Sequence, residues 1–264
     1  MEIYESLILG IIQGITEWLP LSSEGITSLI MINFFNIPFD EAVYLALWLH
    51  TGTLLAAIIF FRKEIFDIFV NIPNCFRNPN KHQLICRLTI FLLISTILTA
   101  SVGIPLILLG IDRLHLPGRI ATLLIGILLI LTGILQKIKL KKTAILKEIH
   151  INDSLLVGII QGLSALPGIS RSGITVSTLL LLGYDAKKAL GLSFLMSIPV
   201  VLIAEIGVTL SDKIMFDLNS MIAIMTSFFI GITTIKVLLS TAERINFGYF
   251  CIFIGILSSI VFLI

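Results

Sequence analysis

The 264-residue sequence predicts an all-α integral membrane protein with an inverted-topology repeat. Three observations predict this fold: an apolar composition, two long apolar regions that are broken in the middle, and a motif that occurs twice. Hydrophobic residues make up 57% of the chain and charged residues only 13%. Soluble domains carry about 25% charged residues. A soluble fold of this length has no core large enough for so much apolar surface, so soluble enzymes are excluded.

The net charge, the cysteines and the N-terminus limit further which kinds of protein fit the sequence. The net charge of +2 gives no basic patch that would indicate a nucleic-acid partner. Cys75, Cys86 and Cys251 form no CxxC motif and no metal-ligand spacing, so we predict free thiols. The opening MEIYES is acidic where a signal peptide is basic, so we expect it to remain in the mature protein.

Six stretches approach the length of about 20 apolar residues that a membrane-spanning helix needs. These predicted spans lie at about 42–61, 88–109, 119–136, 190–210, 220–240 and 248–264. Two further apolar regions, 6–32 and 154–183, are interrupted by Pro, Gly, Ser and charged residues. Each is too interrupted for one span and too short for two. We therefore predict that each forms a re-entrant helical hairpin, so that each half of the chain has one hairpin and three spans.

Lys and Arg residues are distributed unevenly between the two sides that this arrangement defines. Thirteen lie on one side, in segments 62–87 and 137–152 and at Lys187, Lys188 and Arg244. The other side has three, Arg113, Arg119 and Lys213. Positive charges favour the cytoplasmic side. The sequence thus predicts a multi-pass protein of the cell membrane, with both termini and the opening of its site on the outer face.

A motif at residues 10–27 recurs at residues 158–175. The two sequences, GIIQGITEWLPLSSEGIT and GIIQGLSALPGISRSGIT, are identical at nine of 18 positions. The chain is therefore a duplication within a single membrane domain, 1–264, with repeat one at about 1–148 and repeat two at about 149–264. Because each repeat has three spans, an odd number, the second repeat enters the membrane from the opposite side. In such folds the site lies where the broken helices of the two copies meet.

Each hairpin break combines proline, small polar residues and glycine. The first contains Pro20, Ser22 and Ser23, and the second contains Pro167, Gly168, Ser170 and Arg171. Proline ends a half-helix, and a serine caps the next one: Ser22 or Ser23 in the first break, Ser170 in the second. A helix N-terminus attracts anions, and arginine matches phosphate oxygens with two parallel hydrogen bonds. Two such N-termini beside Arg171 predict a cradle for phosphate or diphosphate.

Glu17, Glu24 and Arg171 are ionisable residues inside the two hairpins. Such groups are costly in a membrane and usually mark function. The acids occur only in copy one and the arginine only in copy two. This asymmetry favours a specialised site over an ion pair that merely joins the hairpins. His50 is a weaker candidate, because a single buried histidine more often satisfies a local hydrogen bond.

At these residues the sequence resembles the undecaprenyl pyrophosphate phosphatase family, also known as the bacitracin-resistance family. The resemblance covers essentially the whole chain. The E/Q-x-x-x-E motif is matched by Gln13 and Glu17, the PGxSRSxxT motif by residues 167–175, and SFLMSIPV begins at Ser193. The resemblance implies hydrolysis of a polyprenyl diphosphate to polyprenyl phosphate and phosphate at the outer membrane face. This hydrolase activity recycles the lipid carrier for cell-wall glycans such as peptidoglycan.

The resemblance also implies a role for each matched residue. Arg171 would hold the diphosphate together with Gly168, Ser170, Ser172 and Thr175. Glu17 would assist catalysis or, with Gln13, hold a divalent cation such as Mg²⁺ or Ca²⁺. Ser22 or Ser23 would be the nucleophile or a phosphate ligand, and water is the other candidate for attack.

This chain departs from the pattern of many bacterial members at two places. Gln13 stands where they have Glu, and Glu24-Gly25-Ile26 stands where they have Thr-Gly-His. The histidine of that pattern is often assigned a catalytic role, which Ile26 lacks the chemistry to fill. Glu24 is therefore a candidate base in its place, alongside Glu17. The lipid is open between an undecaprenyl and a dolichyl-type carrier.

Two rival functions remain open at this stage. Inverted repeats with broken helices are typical of secondary transporters, so a transporter or flippase of polyprenyl phosphate is the first alternative. A structural membrane protein, whose hairpins only pack, is the second. The expected partner is a polyprenyl diphosphate lipid, with no nucleic acid, and a homodimer is left open.

Overall fold

The computed structural model describes residues 2–19, 22–77, 83–110, 148–166, 169–210 and 217–241, with isolated helical positions between 123 and 134 and between 252 and 260. Over these residues the fold is helical. The helices are α1 (Ile3–Thr16), α2 (Ser23–Phe34), α3 (Phe39–Phe60), α4 (Arg62–Arg77), α5 (Gln83–Gly110), α6 (Asp153–Gly162), α7 (Arg171–Leu181), α8 (Ala186–Leu210) and α9 (Leu218–Thr241). A 3₁₀ turn, Leu163–Ala165, extends α6.

Four helices are long and apolar enough to cross a membrane. They are Phe39–Phe60, Leu84–Leu108, Ala186–Gly207 and Leu218–Thr241. They coincide with four of the six predicted spans, to within a few residues at each end. The other two, 119–136 and 248–264, lie almost wholly outside the described residues. The prediction of an α-helical membrane protein is therefore confirmed, and the complete count of spans stays a prediction.

Each of the two broken apolar regions forms a pair of short helices, and their re-entry into the membrane stays a prediction. In the first, α1 ends at Thr16 and α2 begins at Ser23. In the second, the turn that follows α6 ends at Ala165 and α7 begins at Arg171. Pro20, Pro167 and Gly168, which sequence reasoning placed at the breaks, lie outside the described residues.

The first helix of each half of the chain packs against the other half. Helix α1 of the first half packs along α9 of the second half, and α6 of the second half packs along α5 of the first. Helix α3 contacts both α8 and α9 and therefore lies at the centre of the fold. This crossed packing brings the two breaks toward each other.

The repeated GIIQG segments form the surfaces of this crossed packing. A Cβ atom on Gly14 would lie 2.7 Å from Ile230 Cβ of α9, and one on Gly162 would lie 2.5 Å from Val102 Cβ of α5. Leucine and isoleucine side chains on the opposite face of each helix are exposed, as expected of a lipid-facing surface: Leu7, Ile8, Ile11 and Ile15 on α1, and Leu155, Leu156 and Ile159 on α6. In both halves, the repeated GIIQG segment thus forms a close contact between two helices.

We expect Gly162→Ala to lower the free energy of unfolding by about 1–3 kcal/mol, because the added methyl group must push α6 away from α5. Gly191→Ala on α8 is the matched control, since a Cβ atom there meets nothing within 4 Å. The measurement is the thermal unfolding midpoint of each purified variant in detergent. Equal midpoints for the two variants would contradict the proposed close contact.

One prediction about the cysteines is wrong. Cys75 near the end of α4 and Cys86 near the start of α5 form a disulfide, with their Cα atoms 5.1 Å apart. They are 11 residues apart in the sequence, and the antiparallel arrangement of α4 and α5 brings them together. Motif spacing contains no information about such a contact between helices. Cys251 lies outside the described residues.

Candidate active site

Both hairpin breaks border a single cavity of about 410 Å³. Its polar end is lined by Glu17, Ser22, Ser23, Glu24, His50, Gln161, Ser170, Arg171, Ser172 and Glu205. Its apolar walls come from α3, α5 and α8 and include Val43, Leu47, Ile104, Ile107, Val200 and Ile203. The cavity therefore joins a polar pocket to a lining suited to a hydrocarbon chain.

Serine side chains cap the two helices that begin at the cavity. The Ser22 hydroxyl accepts a hydrogen bond from the Gly25 N–H at 3.2 Å, at the start of α2. The Ser170 hydroxyl accepts one from the Gly173 N–H at 3.0 Å, at the start of α7. The sequence left Ser22 and Ser23 open as the first cap, and the structure places Ser22 there. Both positive helix ends border the polar pocket, which favours an anionic ligand.

Ser22 also sets the direction of the chain before α2. Its φ of 59° and ψ of 83° lie in the left-handed region, which costs free energy for a residue with a side chain. Such conformations cluster at functional sites, where the surrounding structure maintains them. Here the turn places the next residue, Ser23, against the side chain of Glu17.

Glu17 is the centre of the polar network. Its Oε1 accepts a hydrogen bond from Arg171 Nη2 at 2.5 Å. Its Oε2 accepts one from the Ser23 hydroxyl at 2.6 Å and one from Gln13 Nε2 at 3.1 Å. His50 Nε2 lies 2.8 Å from the same Oε2 atom. The carboxylate is buried and held from both sides, by residues of both halves of the chain.

Arg171 is fixed by contacts behind the pocket. Its Nη1 donates to the backbone carbonyl of Ser193 at 3.2 Å. The Thr175 hydroxyl lies 2.7 Å from the Ser193 hydroxyl and also donates to the Arg171 carbonyl at 2.7 Å. The Ser172 hydroxyl donates to the Leu19 carbonyl at 2.9 Å and so connects the two breaks. The SFLMSIPV stretch therefore supports the site, because its first residue, Ser193, accepts the hydrogen bond that positions Arg171.

Most of the predicted site residues line this pocket, with three exceptions, the first of which is Gln13, a fully buried residue that contacts Glu17. Thr175 is fully buried, contacts Ser193 and does not line the cavity, and its predicted contact with phosphate stays a prediction. Gly168 lies outside the described residues. Glu24 lines the cavity, but the described contacts of the Ser23 hydroxyl are with Glu17 and His50.

The predicted cation ligands, Glu17 and Gln13, do not fit a divalent ion as they are arranged. Both oxygens of Glu17 already accept hydrogen bonds, and Gln13 turns its NH₂ group toward that carboxylate. Within the described ranges, no three His, Cys, Asp or Glu side chains are grouped to hold a metal ion. The divalent cation therefore stays a prediction of the resemblance, and no step below depends on it.

Sequence reasoning gave too little weight to three residues. His50 contacts Glu17 and Ser23, Ser193 holds Arg171, and Glu205 of α8 lines the cavity with its Oε2 buried and unpaired among the described atoms. An ionisable group within an apolar helix was a usable signal for His50 and Glu205. Nothing in the sequence marks a backbone carbonyl such as that of Ser193.

Comparison with known proteins identifies the family of the chain. The family described as "Bacitracin resistance protein BacA" has a sequence model that matches residues 6–260. The chain belongs to this family. The first relatives cover nearly the whole length of the chain, so the match includes both broken apolar regions and the long helices between them.

The relatives named undecaprenyl-diphosphatase include three of high coverage. The protein of Methanococcoides burtonii is 47% identical over 98% of this chain and 97% of its own length. That of Methanothrix thermoacetophila is 37% identical over 98% and 96%. That of Haloarcula marismortui is 36% identical over 95% and 93%.

Proposed function

We propose that this BacA-family chain is an integral membrane lipid phosphatase. It hydrolyses a polyprenyl diphosphate of the undecaprenyl type to polyprenyl phosphate and inorganic phosphate, and so recycles a lipid carrier of glycans. The observation that carries the proposal is the Ser23 hydroxyl, which donates to the Glu17 carboxylate at 2.6 Å beside Arg171. The names of these three relatives support the same activity.

The cavity suits both parts of such a substrate. The isoprenoid tail lies along the apolar walls of α3, α5 and α8. The diphosphate lies at the N-termini of α2 and α7, where free N–H groups and the helix dipoles attract negative charge. Among the described residues, Arg171 uses only part of its five-donor guanidinium, on Glu17 and Ser193, so other N–H groups can donate to phosphate oxygens.

The chemistry follows from the contacts of Ser23. Its Oγ attacks the terminal phosphorus, and its proton passes to Oε2 of Glu17. The bond between this phosphorus and the bridging oxygen breaks, and polyprenyl phosphate leaves. Water then attacks the phosphorus of the phosphoserine, and the bond between this phosphorus and Ser23 Oγ breaks. Glu17 returns its proton to Ser23 Oγ, and both hydrogens of the water leave with the released phosphate as dihydrogen phosphate. Arg171 and the helix ends stabilise the charge on the transferring group.

Ser23 is the better nucleophile of the two serines left open by the sequence. Its hydroxyl already donates to a carboxylate, which is the arrangement that activates a hydroxyl for attack. The oxygen of Ser22 instead accepts the capping hydrogen bond from Gly25. Ser22 therefore shapes the turn, and Ser23 performs the attack.

We place this site in a six-span inverted repeat in the cell membrane, with both termini and the cavity opening on the outer face. The crossed packing of α1 on α9 and α6 on α5 supports the inversion, as do the caps at Ser22 and Ser170, which are 148 residues apart. The uneven distribution of Lys and Arg supports the orientation.

A transporter of polyprenyl phosphate is the second candidate, because the meeting of two broken helices is typical of transport sites. The purified protein in liposomes that contain a C55 polyprenyl diphosphate separates the two functions. We expect inorganic phosphate and polyprenyl monophosphate to appear together in equal amounts. Movement of unchanged lipid between the leaflets without phosphate release would overturn the phosphatase in favour of the transporter.

A further inference from the structure

His50 is a buried residue in the middle of α3, and its ring is fixed by its own helix. Its Nδ1 lies 2.8 Å from the backbone carbonyl of Ala46, one turn earlier. A carbonyl oxygen and a carboxylate both only accept hydrogen bonds, so a ring that contacts Ala46 and Glu17 carries a hydrogen on each nitrogen and is an imidazolium. Nδ1 donates to the Ala46 carbonyl. This bond directs the other ring nitrogen, Nε2, away from the helix and into the polar pocket.

Nε2 meets the two groups that perform the proposed attack. It lies 2.8 Å from Glu17 Oε2 and 3.4 Å from Ser23 Oγ, while these two oxygens are 2.6 Å apart. The three side chains thus form a triangle in which each contacts the other two. Of the described residues that line the cavity, His50 is the only histidine.

The two oxygens of Glu17 are held by different partners. Arg171, from the second half of the chain, binds Oε1, whereas His50 Nε2 at 2.8 Å and Gln13 Nε2 at 3.1 Å both contact Oε2. Without His50, the longer hydrogen bond from Gln13 would be the one described N–H contact that holds Oε2 against rotation about the Cγ–Cδ bond. Oε2 is the oxygen that faces the Ser23 hydroxyl, so its position decides whether Ser23 has an aligned acceptor.

We propose that His50 is the positioning residue of this active site, holding Glu17 Oε2 against the Ser23 hydroxyl. The inference rests on the proposed phosphatase function and deepens it. It gives Glu24 no such role, because Glu17 and Ser23 both contact His50 and neither has a described contact with the Glu24 side chain.

A purely local role for His50 makes a different prediction. If the ring served only to bond Ala46, its loss would weaken α3 and leave the rate of the folded protein unchanged. A positioning role lowers kcat in a folded protein and leaves KM nearly constant, because the substrate touches Arg171 and the helix ends rather than the imidazole.

The test measures kcat and KM for phosphate release from a C55 polyprenyl diphosphate, with the thermal midpoint of each variant. We expect His50→Ala to lower kcat about 100-fold with KM within about threefold of wild type. His50→Gln keeps an N–H donor for Glu17 and should retain kcat within about tenfold. His150→Ala is the matched control, since His150 is exposed and away from the cavity, and it should equal wild type.

The results for these variants decide whether His50 positions Glu17. A kcat within threefold of wild type in His50→Ala would overturn the role of His50 while leaving the phosphatase intact. A 100-fold loss in a folded His50→Gln would do so as well, because the retained donor should suffice, and this variant serves if His50→Ala fails to fold. An inactive wild-type protein would instead overturn the proposed function, and the role of His50 with it.

Discussion

Glu17→Gln is expected to lower kcat for phosphate release by about 10³-fold, since the site loses its proton acceptor. The amide still fits the space and still accepts one hydrogen bond. It cannot take the proton of Ser23, and its NH₂ group faces either Arg171 or the Ser23 and His50 side of the pocket. Because Arg171 then lacks a buried counter-charge, the free energy of unfolding should fall by about 3 kcal/mol.

The matched control is Glu148→Gln. Glu148 also pairs with an arginine, Arg87 at 2.6 Å, but on the exposed surface, where such pairs contribute little. This variant should keep both the wild-type rate and the wild-type thermal midpoint. Equal rates for Glu17→Gln and wild type would refute the role of Glu17 as proton acceptor.

Ser23→Ala is expected to reduce phosphate release by at least about 10³-fold while substrate binding is retained, because the attacking oxygen is removed and the anion site stays. Ser22→Ala removes only the cap of α2. It should cost about 1 kcal/mol of stability and less than tenfold in rate. The measurement is kcat for both variants, with lipid binding followed by equilibrium titration.

This comparison also separates the serines from water as the attacking group. If water attacked directly, Ser23→Ala would retain most of the rate, because Glu17 and Arg171 would still be in place. If the order of the two serines were reversed, Ser22→Ala would be the inactive variant. Either outcome would require a different mechanism from the one proposed here.

The sequence predicted the parts of the site that depend on local chemistry. Ser170 and one of the two first-break serines cap their helices, because a serine before a glycine-containing first turn satisfies free N–H groups in any context. The duplication also indicated that the two breaks meet, and Glu17 and Arg171 are in contact, although 154 residues separate them.

The sequence did not predict the parts of the site that depend on packing between helices. His50 is 27 residues from Ser23, and only the packing of α2 against α3 brings them together. Thr175 has the residue type of a phosphate ligand but faces Ser193 because of the rotation of α7. Cys75 and Cys86 pair because α4 and α5 are antiparallel, and α4 itself lies in a segment that was read only as a charged connection.

The central claim, that two broken helices from different halves build one phosphatase site, is tested most directly at Arg171. The measurement is the initial rate of phosphate release from a C55 polyprenyl diphosphate by wild type, Arg171→Ala and Arg87→Ala, each verified as folded by size exclusion. We predict release by wild type and by Arg87→Ala, whose arginine is on the surface, and a rate about 10³-fold lower for Arg171→Ala. A folded Arg171→Ala protein with a rate within tenfold of wild type would contradict the claim.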